Sequence, residues 1–546
     1  MATAKVSFVA RSCRVPRGAG NHFDLPLSSS ASRSLVTGCS SSSSRPAASV
    51  LVPLQQQRRG YSLRLERIPE NILKAEYAVR GEIIARAEQI SKEIAEAKNG
   101  AKPYPFEKLV PCNIGNPQVV GQPPLTFHRQ VLSVLGNNGL LDDPALTSTL
   151  PADVVERGMR FRGTQPGAYT HSRGHPLFRR MIADYIDKRD KIAVKADPEH
   201  IYVSNGASGA VITALELLIR SKGDGIMIPV PQYPLYSASI TKAGGTWVGY
   251  ELTENYDTDK PSWGLDIAQL REALKKSQAS NVKVRAIAVI NPGNPTGNVM
   301  GRSEVEAVVD FAKENDLVIL ADEVYQDNVY DPSKEFVSFR SVVRTRPGCD
   351  AVQLFSFHSI SKGYYGECGL RGGYMHLTNL PDIVHEQVYK LASMQLCSNT
   401  VGQAMMASVL NPPQEGDPSY ELFQRERATT LDGLKKKAKM LSARLNAIPG
   451  IQCMPIEGAM YAFPQVDLPQ KFIDEARAQG KNPDTWYCYQ ILEKLGVITV
   501  PGSGFEQRVG TWHFRTTILP AEEELVRFLD GLEKLQADLY AKYGQP

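Results

Sequence analysis

No stretch of about eighteen uncharged apolar residues occurs in the 546-residue sequence, so a conventional membrane-spanning helix is excluded. Cysteine is sparse, with eight residues at positions 13, 39, 112, 349, 368, 397, 453 and 488, no C-x-x-C pair and no histidine at ligand spacing. That argues against a zinc site, so no metal is expected, and against a disulfide-stapled secreted fold; it suits a reducing compartment. Neither G-x-G-x-x-G after a strand-like run nor G-x-x-x-x-G-K-[ST] is present, which leaves the common nucleotide-binding loops without support. The body of the chain also lacks an excess of positive charge: residues 62–546 hold 54 basic and 57 acidic side chains. A basic surface for nucleic acid is therefore not expected.

Residues 1–61 are different, with eight basic residues against the single acid Asp24, and thirteen serines. A segment rich in Arg and Ser and nearly free of acids is what organelle import sequences look like. Arg59-Gly60-Tyr61-Ser62 resembles a mitochondrial processing signal with the cut before Ser62. Residues 1–61 are thus predicted to be a disordered import sequence directing the protein to the mitochondrial matrix, with the chloroplast as the alternative.

From Pro69 the pattern alternates between helix and strand. Apolar residues from Ile72 to Ile94 recur near helical spacing and stop at Asn99-Gly100, which predicts a helix over 70–99. Short apolar runs follow at Ile201–Val203, Gly225–Val230, Val284–Ile290, Leu317–Ala321 and Val352–Phe357, with helical stretches at 208–221, 265–277 and 302–315. Strands alternating with helices of this length predict a mostly parallel sheet with helices on both faces, whose ligands gather at the carboxyl ends of the strands.

Those strand ends carry chemistry. Ser204-Asn205-Gly206-Ala207-Ser208-Gly209 opens a helix whose free N–H groups suit a phosphate, or is an ordinary turn with Ser208 near the N-cap. Asn294 lies in Asn291-Pro-Gly-Asn-Pro-Thr-Gly297, Asp322 and Tyr325 in Ala321-Asp-Glu-Val-Tyr325, and Lys362 in His358-Ser-Ile-Ser-Lys-Gly363. Taken singly, Asn294 is also turn chemistry, Asp322 a helix cap and Lys362 a solvated surface cation.

Together, an amide, a carboxylate, a tyrosine, a serine and a lysine after successive strands in this order resemble the class I and II aminotransferases. These are fold-type I enzymes that use pyridoxal 5'-phosphate. Asn113-Ile-Gly-Asn-Pro-Gln118, Gly167-Ala-Tyr-Thr-His-Ser-Arg-Gly174, Pro231-Gln-Tyr-Pro-Leu-Tyr236, Gly366-Glu-Cys-Gly-Leu-Arg-Gly-Gly-Tyr374, Gly502-Ser-Gly-Phe505 and the run from His513 to Pro520 look like the alanine aminotransferase branch. Asn205, where that branch commonly has an acid, and Arg173, where it has Gln, depart from it; Arg173 is expected to alter the charge of the pocket.

The resemblance implies a role for each residue. Lys362 carries the cofactor and shuttles the Cα proton. Asp322 keeps the pyridine nitrogen protonated, as is general for this cofactor. Asn294 and Tyr325 donate to its phenolic oxygen, Asn294 also facing the substrate, and Tyr233 stacks on the ring. Ala207, Ser208, Ser359 and Arg371 hold the phosphate, to which Tyr169 is contributed by a neighbouring subunit, so that a homodimer with shared active sites is expected. Arg515 binds the substrate α-carboxylate through its planar fork, although an Arg on a Thr-rich strand is also an ordinary cross-strand contact. Gly115 and Asn116 line the substrate side chain.

The implied fold is α/β, with a large cofactor domain over 150–425 and a smaller α+β domain built from 62–149 and 426–546; Ile451–Pro464 and Val497–Leu519 are predicted strands and 521–541 a helix. The implied reaction interconverts L-alanine plus 2-oxoglutarate with pyruvate plus L-glutamate. A glutamate–glyoxylate aminotransferase, a lyase or synthase using the same cofactor, and a non-catalytic regulator are the alternatives.

Overall fold

Two cores on opposite faces of one sheet follow directly from the alternation of side chains along its strands. The computed structural model describes residues 63–77, 81–97, 102–164, 166–256 and 261–545. The expected import sequence and its processing signal therefore lie outside the described residues. The sheet has seven strands: β1 (Ile201–Asn205), β2 (Asp224–Val230), β3 (Thr246–Glu251), β4 (Lys283–Ile290), β5 (Val318–Asp322), β6 (Leu354–Ser359) and β7 (Gly372–Thr378). Their spatial order is β1-β7-β6-β5-β4-β2-β3.

Within β2 and β4, Ile226, Ile228, Ala286, Ala288 and Ile290 point to one face and pack on Ala210, Val211, Ala214 and Leu215 of α1 (Gly206–Leu218). Met227, Ile287 and Val289 point to the other, against Leu270 and Ala273 of the helix Ile267–Ala279 and Val305, Val308 and Val309 of the helix Arg302–Glu314. A strand covered on both faces must be apolar at every position, which is why these runs stand out in the sequence. Each buried Val, Leu, Ile or Met among them contributes about 1.5–3 kcal/mol, and each Ala about 0.8 kcal/mol.

Strands β2 to β6 run parallel to one another. Strand β7 is antiparallel to both its neighbours, with Gly372 opposite Asn205 and Gly373 opposite Ser359. The start of β7 therefore lies at the same edge as the ends of the other strands, and Arg371 joins the residues that follow β1 and β6.

A third core joins Ile83, Ala87 and Ile90 of the helix Glu82–Glu96 to the helices Tyr420–Asn446, Pro483–Leu495 and Glu522–Tyr543. Here lie two further strands, β8 (Tyr461–Ala462) and β9 (Phe514–Thr517), paired antiparallel. The contacts hold Glu66–Pro546 together as one unit. Among the described residues no helix is long and apolar enough to cross a membrane.

Several expectations are corrected. The helix expected over 70–99 is two helices, Glu70–Lys74 and Glu82–Glu96, because Ala75 and Gly81 are extended. Ile72 and Leu73, which supplied part of the periodicity, are exposed rather than buried beside Ile83. The strands expected over 451–464 and 497–519 are reduced to pieces of two to four residues, broken by a turn at Gly502–Phe505 and by Pro455 and Pro464, which lack the N–H a ladder needs. Ser208 does lie near the N-cap, in the first turn of α1 after the N-cap Asn205.

Candidate active site

At the carboxyl edge of the sheet a cavity of about 450 Å³ is lined by Gly115, Asn116, Ala207, Ser208, Tyr233, Asn294, Asp322, Tyr325, Ser359, Lys362, Arg371 and Arg515. All the residues given a site role from sequence meet there except Tyr169. Tyr169 is 79% exposed in the single chain. Arg173 is also elsewhere, which corrects the expectation that it charges the pocket: its carbonyl accepts from the Val203 N–H at 2.8 Å, which holds it alongside the edge strand β1, where its guanidinium pairs with Glu199 at 2.7 Å and lies over the rings of Tyr202 and Tyr389.

One end of the cavity is built for an anion. The first turn of α1 presents Ala207 and Ser208 at a helix N-terminus. Arg371 closes over it, donating from Nη2 to Ser208 Oγ at 3.2 Å and to the carbonyl of Asn205 at 3.1 Å. Gly206 between them has φ +73°, and a Cβ there would lie 2.9 Å from Arg371 Cζ, so only glycine allows the guanidinium this close. Arg371 itself is held at φ +55°, a costly conformation for a side-chain-bearing residue. Ser359, the last residue of β6, is buried nearby.

At the centre is Asp322, the last residue of β5. Its Oδ2 accepts a hydrogen bond from the Tyr236 hydroxyl at 3.2 Å, while its buried Oδ1 has no partner. Burial pushes the carboxyl up to about 6, although the Tyr236 bond and the Lys362 charge act in the opposite sense. Because this is above the unfolded value of about 3.9, the folded state gains from the proton below about pH 4 and loses that gain as pH climbs through about 6. Cofactor-free Asp322→Asn should therefore be more stable than the natural protein at pH 8, by about 1–3 kcal/mol, with the difference closing near pH 4. Urea unfolding at both pH values checks this; an equal difference at the two would remove the buried charge as its cause.

Lys362 follows β6 and donates from Nζ to the carbonyl of Gly115 at 2.7 Å. A Cβ on Gly115 would collide with this amine and with the Tyr461 hydroxyl, so the bare backbone is what admits both. The Tyr325 hydroxyl donates to Tyr461 Oη at 3.3 Å, and burial raises the Tyr325 phenol well above its usual range. Tyr233 meets the hydroxyl of Tyr77 at 3.2 Å.

Arg515, on β9, is 1% exposed and pairs with no carboxylate among the described residues. Its guanidinium lies between the rings of Tyr461 (4.2 Å) and Phe505 (4.7 Å). Nη1 donates to Asn294 Oδ1 at 3.2 Å, Nη2 donates to the carbonyl of Asn113, and Nε has no partner. A buried cation without a counter-ion is costly, and an incoming carboxylate relieves it.

Sequence reasoning missed Tyr236, Tyr461, Tyr77 and Cys368, whose thiol donates to Asn116 Oδ1 at 3.1 Å. Tyr236 follows Tyr233 by three residues across the turn into the helix Leu235–Lys242, its N–H donating to the Tyr233 carbonyl, and that spacing was the available signal.

Residues 134–532 match the family model for aminotransferase class I and II. The chain belongs to that family. Its enzymes transfer amino groups using pyridoxal 5'-phosphate, and this aminotransferase is one of them. It is 45% identical over 488 residues to a probable mitochondrial alanine aminotransferase of Dictyostelium discoideum, covering 88% of this chain and 89% of that protein. It is 42% identical over 487 residues to glutamate–glyoxylate aminotransferase 1 of Arabidopsis thaliana, covering 88% of this chain and 97% of the other. Among solved structures, an alanine aminotransferase from Pyrococcus furiosus is 25% identical with a TM-score of 0.66, covering 86% of this chain and all of that one.

The cavity of the aminotransferase suits the cofactor on its own chemistry. It has donors for a phosphate at one end, a buried carboxylate oxygen lacking a proton donor at the centre, and a lysine amine within the same walls.

Proposed function

We propose that this aminotransferase interconverts L-alanine plus 2-oxoglutarate with pyruvate plus L-glutamate. What carries the reading is the convergence of an unpaired, buried Arg515 with Lys362 and Asp322 in a single cavity, together with relatives at 45–46% identity named alanine aminotransferase. When bound, the cofactor supplies an aldehyde that carries the amino group and a ring that accepts the electrons released at Cα.

The chain's own residues do the rest. Ser208, Ser359, Arg371 and the N–H groups at the start of α1 bind the phosphate. Asp322 Oδ1 holds the proton on the ring nitrogen, and Tyr236 fixes the carboxyl that does so. Asn294 and Tyr325 orient the ring through its oxygen, and Tyr233 covers its face. Arg515 would hold the α-carboxylate through its planar fork and so fix where Cα lies within reach of Lys362. Lys362 Nζ then moves the proton at Cα, and the buried walls keep water from competing. Gly115 and Asn116 bound the space for the side chain.

Glutamate–glyoxylate exchange is the second reading, favoured by the relative at 42% identity. A pocket separates substrates that differ by one small group by only about 1–3 kcal/mol, so both reactions suit one cavity. Half-reactions followed through the cofactor spectrum, with alanine, glutamate, aspartate and glycine added separately, decide between them. Alanine and glutamate should react fast and aspartate slowly. Glycine matching alanine would favour the second reading, and aspartate outpacing alanine would overturn the first.

We further infer that the enzyme is a homodimer in which the exposed Tyr169 reaches the partner's phosphate site. The division into a large domain over 150–425 and a small one over 62–149 and 426–546 is retained. Import into mitochondria is supported by the relatives so named and by the composition of residues 1–61, and N-terminal sequencing of the mature protein from its own cells would read Ser62.

A further inference from the structure

Tyr461 lies beside two of the cavity's cations, Lys362 and Arg515, and belongs to none of the roles above. It is 3% exposed, on β8, paired in register with Thr517 of the strand that carries Arg515. One face of its ring lies 4.2 Å from the Arg515 guanidinium. Its hydroxyl oxygen is the acceptor for Tyr325 at 3.3 Å and shares the bare face of Gly115 with Lys362 Nζ. We propose that Tyr461 is the proton-accepting partner of Lys362, taking a proton from the lysine ammonium onto its phenolic oxygen and returning it. The inference rests on the function proposed above, since it assigns Lys362 the work at Cα.

The exchange balances without any further reactant. The Nζ–H bond of the ammonium breaks and leaves its electron pair on nitrogen; the proton forms an O–H bond with the phenolate, so that an amine and a phenol replace an ammonium and a phenolate. The surroundings favour an ionised oxygen. Burial alone would raise the Tyr461 phenol, yet the charges of Lys362 and Arg515 and the hydrogen bonds from Tyr325 and Lys362 bring it below the ordinary phenol range. Tyr325 moves the opposite way, which is the pattern of a donor beside an acceptor: one phenol keeps its proton and gives it to the bond, and the other receives. The groups facing Tyr461 are thus Lys362 after β6, Arg515 on β9, Tyr325 after β5 and, more remotely, Tyr233. None is a carboxylate, so what opposes the phenolate is burial rather than a neighbouring negative charge.

Tyr461→Phe isolates the oxygen, because the ring that packs on Arg515 is retained. In cofactor-free protein, titration of phenolate absorbance should show one tyrosine ionising ahead of the rest. That early step should be absent from Tyr461→Phe, and in Lys362→Met it should move to higher pH by about one unit, as loss of a neighbouring cation requires. The Lys362→Met measurement keeps Tyr461 in place, so it decides even if the phenylalanine variant folds poorly. With cofactor restored, Tyr461→Phe should lose about 10²-fold in kcat while KM for alanine changes little. An early step that survives in Tyr461→Phe, or that does not move in Lys362→Met, overturns the proposal. Borohydride trapping of the cofactor on natural protein separates the two readings: label on Lys362 with an unmoved early step defeats Tyr461 alone, and label on another lysine defeats the assignment of Lys362 itself.

Discussion

Lys362→Ala is expected to yield folded protein that still takes up cofactor yet transaminates about 10⁴-fold more slowly or worse. The amine is asked to do two things that no neighbour duplicates: to hold the cofactor covalently and to carry the proton at Cα. Cofactor should remain because Ser208, Ser359 and Arg371 grip the phosphate and Asp322 the ring, none of which depends on the lysine side chain. Lys362 donates to the Gly115 carbonyl and lies beside the Tyr461 and Tyr325 side chains, a small set of contacts, so its removal should change the melting temperature little. Borohydride reduction followed by peptide mapping gives the readout. Natural protein should carry the cofactor on Lys362 and the variant should carry none; a variant that is labelled elsewhere and retains turnover would show the chemistry to reside on another amine.

The second large effect concerns Arg515. Alanine offers only a methyl group beyond its carboxylate and amine, so its orientation depends on the carboxylate. Losing a buried, two-pronged ion pair should cost about 3–5 kcal/mol, roughly 10²- to 10³-fold in kcat/KM. Arg515→Lys should also be impaired, because an ammonium cannot occupy the slot between Tyr461 and Phe505 as a flat guanidinium does, nor donate to Asn294 and Asn113 together. Glutamate should suffer with alanine, while the spectrum of the resting enzyme should be preserved. Both half-reactions measured on both variants settle it: near-normal rates would place the carboxylate on another residue, and loss of the glutamate reaction alone would move Arg515 to the distal carboxylate.

The sheet was legible because the parts of its strands buried on both faces, such as Ile226–Val230 of β2 and Ala286–Ile290 of β4, are apolar at every position. Strand β3 escaped notice because its residues from Thr246 to Gly249 are only partly buried and its composition is mixed. The helix over 70–99 misled for a related reason: Ile72 and Leu73 continue the helical spacing of Ile83 and Ala87, but spacing does not say whether a residue finds a core to pack on. Within the site, Lys362, Asp322 and Arg515 each had an ordinary explanation alone and could be found only because the motifs around them, taken together and in order, resemble a known family. Tyr461 and Tyr236 could not, since a tyrosine in an apolar segment reads as filler until its hydroxyl is seen to meet a lysine or a carboxylate.

The hydrogen bond from Arg515 to Asn113 joins residues 402 positions apart, whereas the anion-binding end of the cavity draws on residues 205–371 alone. During synthesis these two parts become available at different times. A chain that has emerged as far as β7 already contains every group proposed to grip the phosphate, and the amine and the carboxylate as well. It has no anchor for a substrate carboxylate until β9 has been made and has folded back onto a segment laid down near the beginning. Recognition of an amino acid therefore requires nearly the whole polypeptide, whereas the groups proposed to hold the cofactor all lie in its central part.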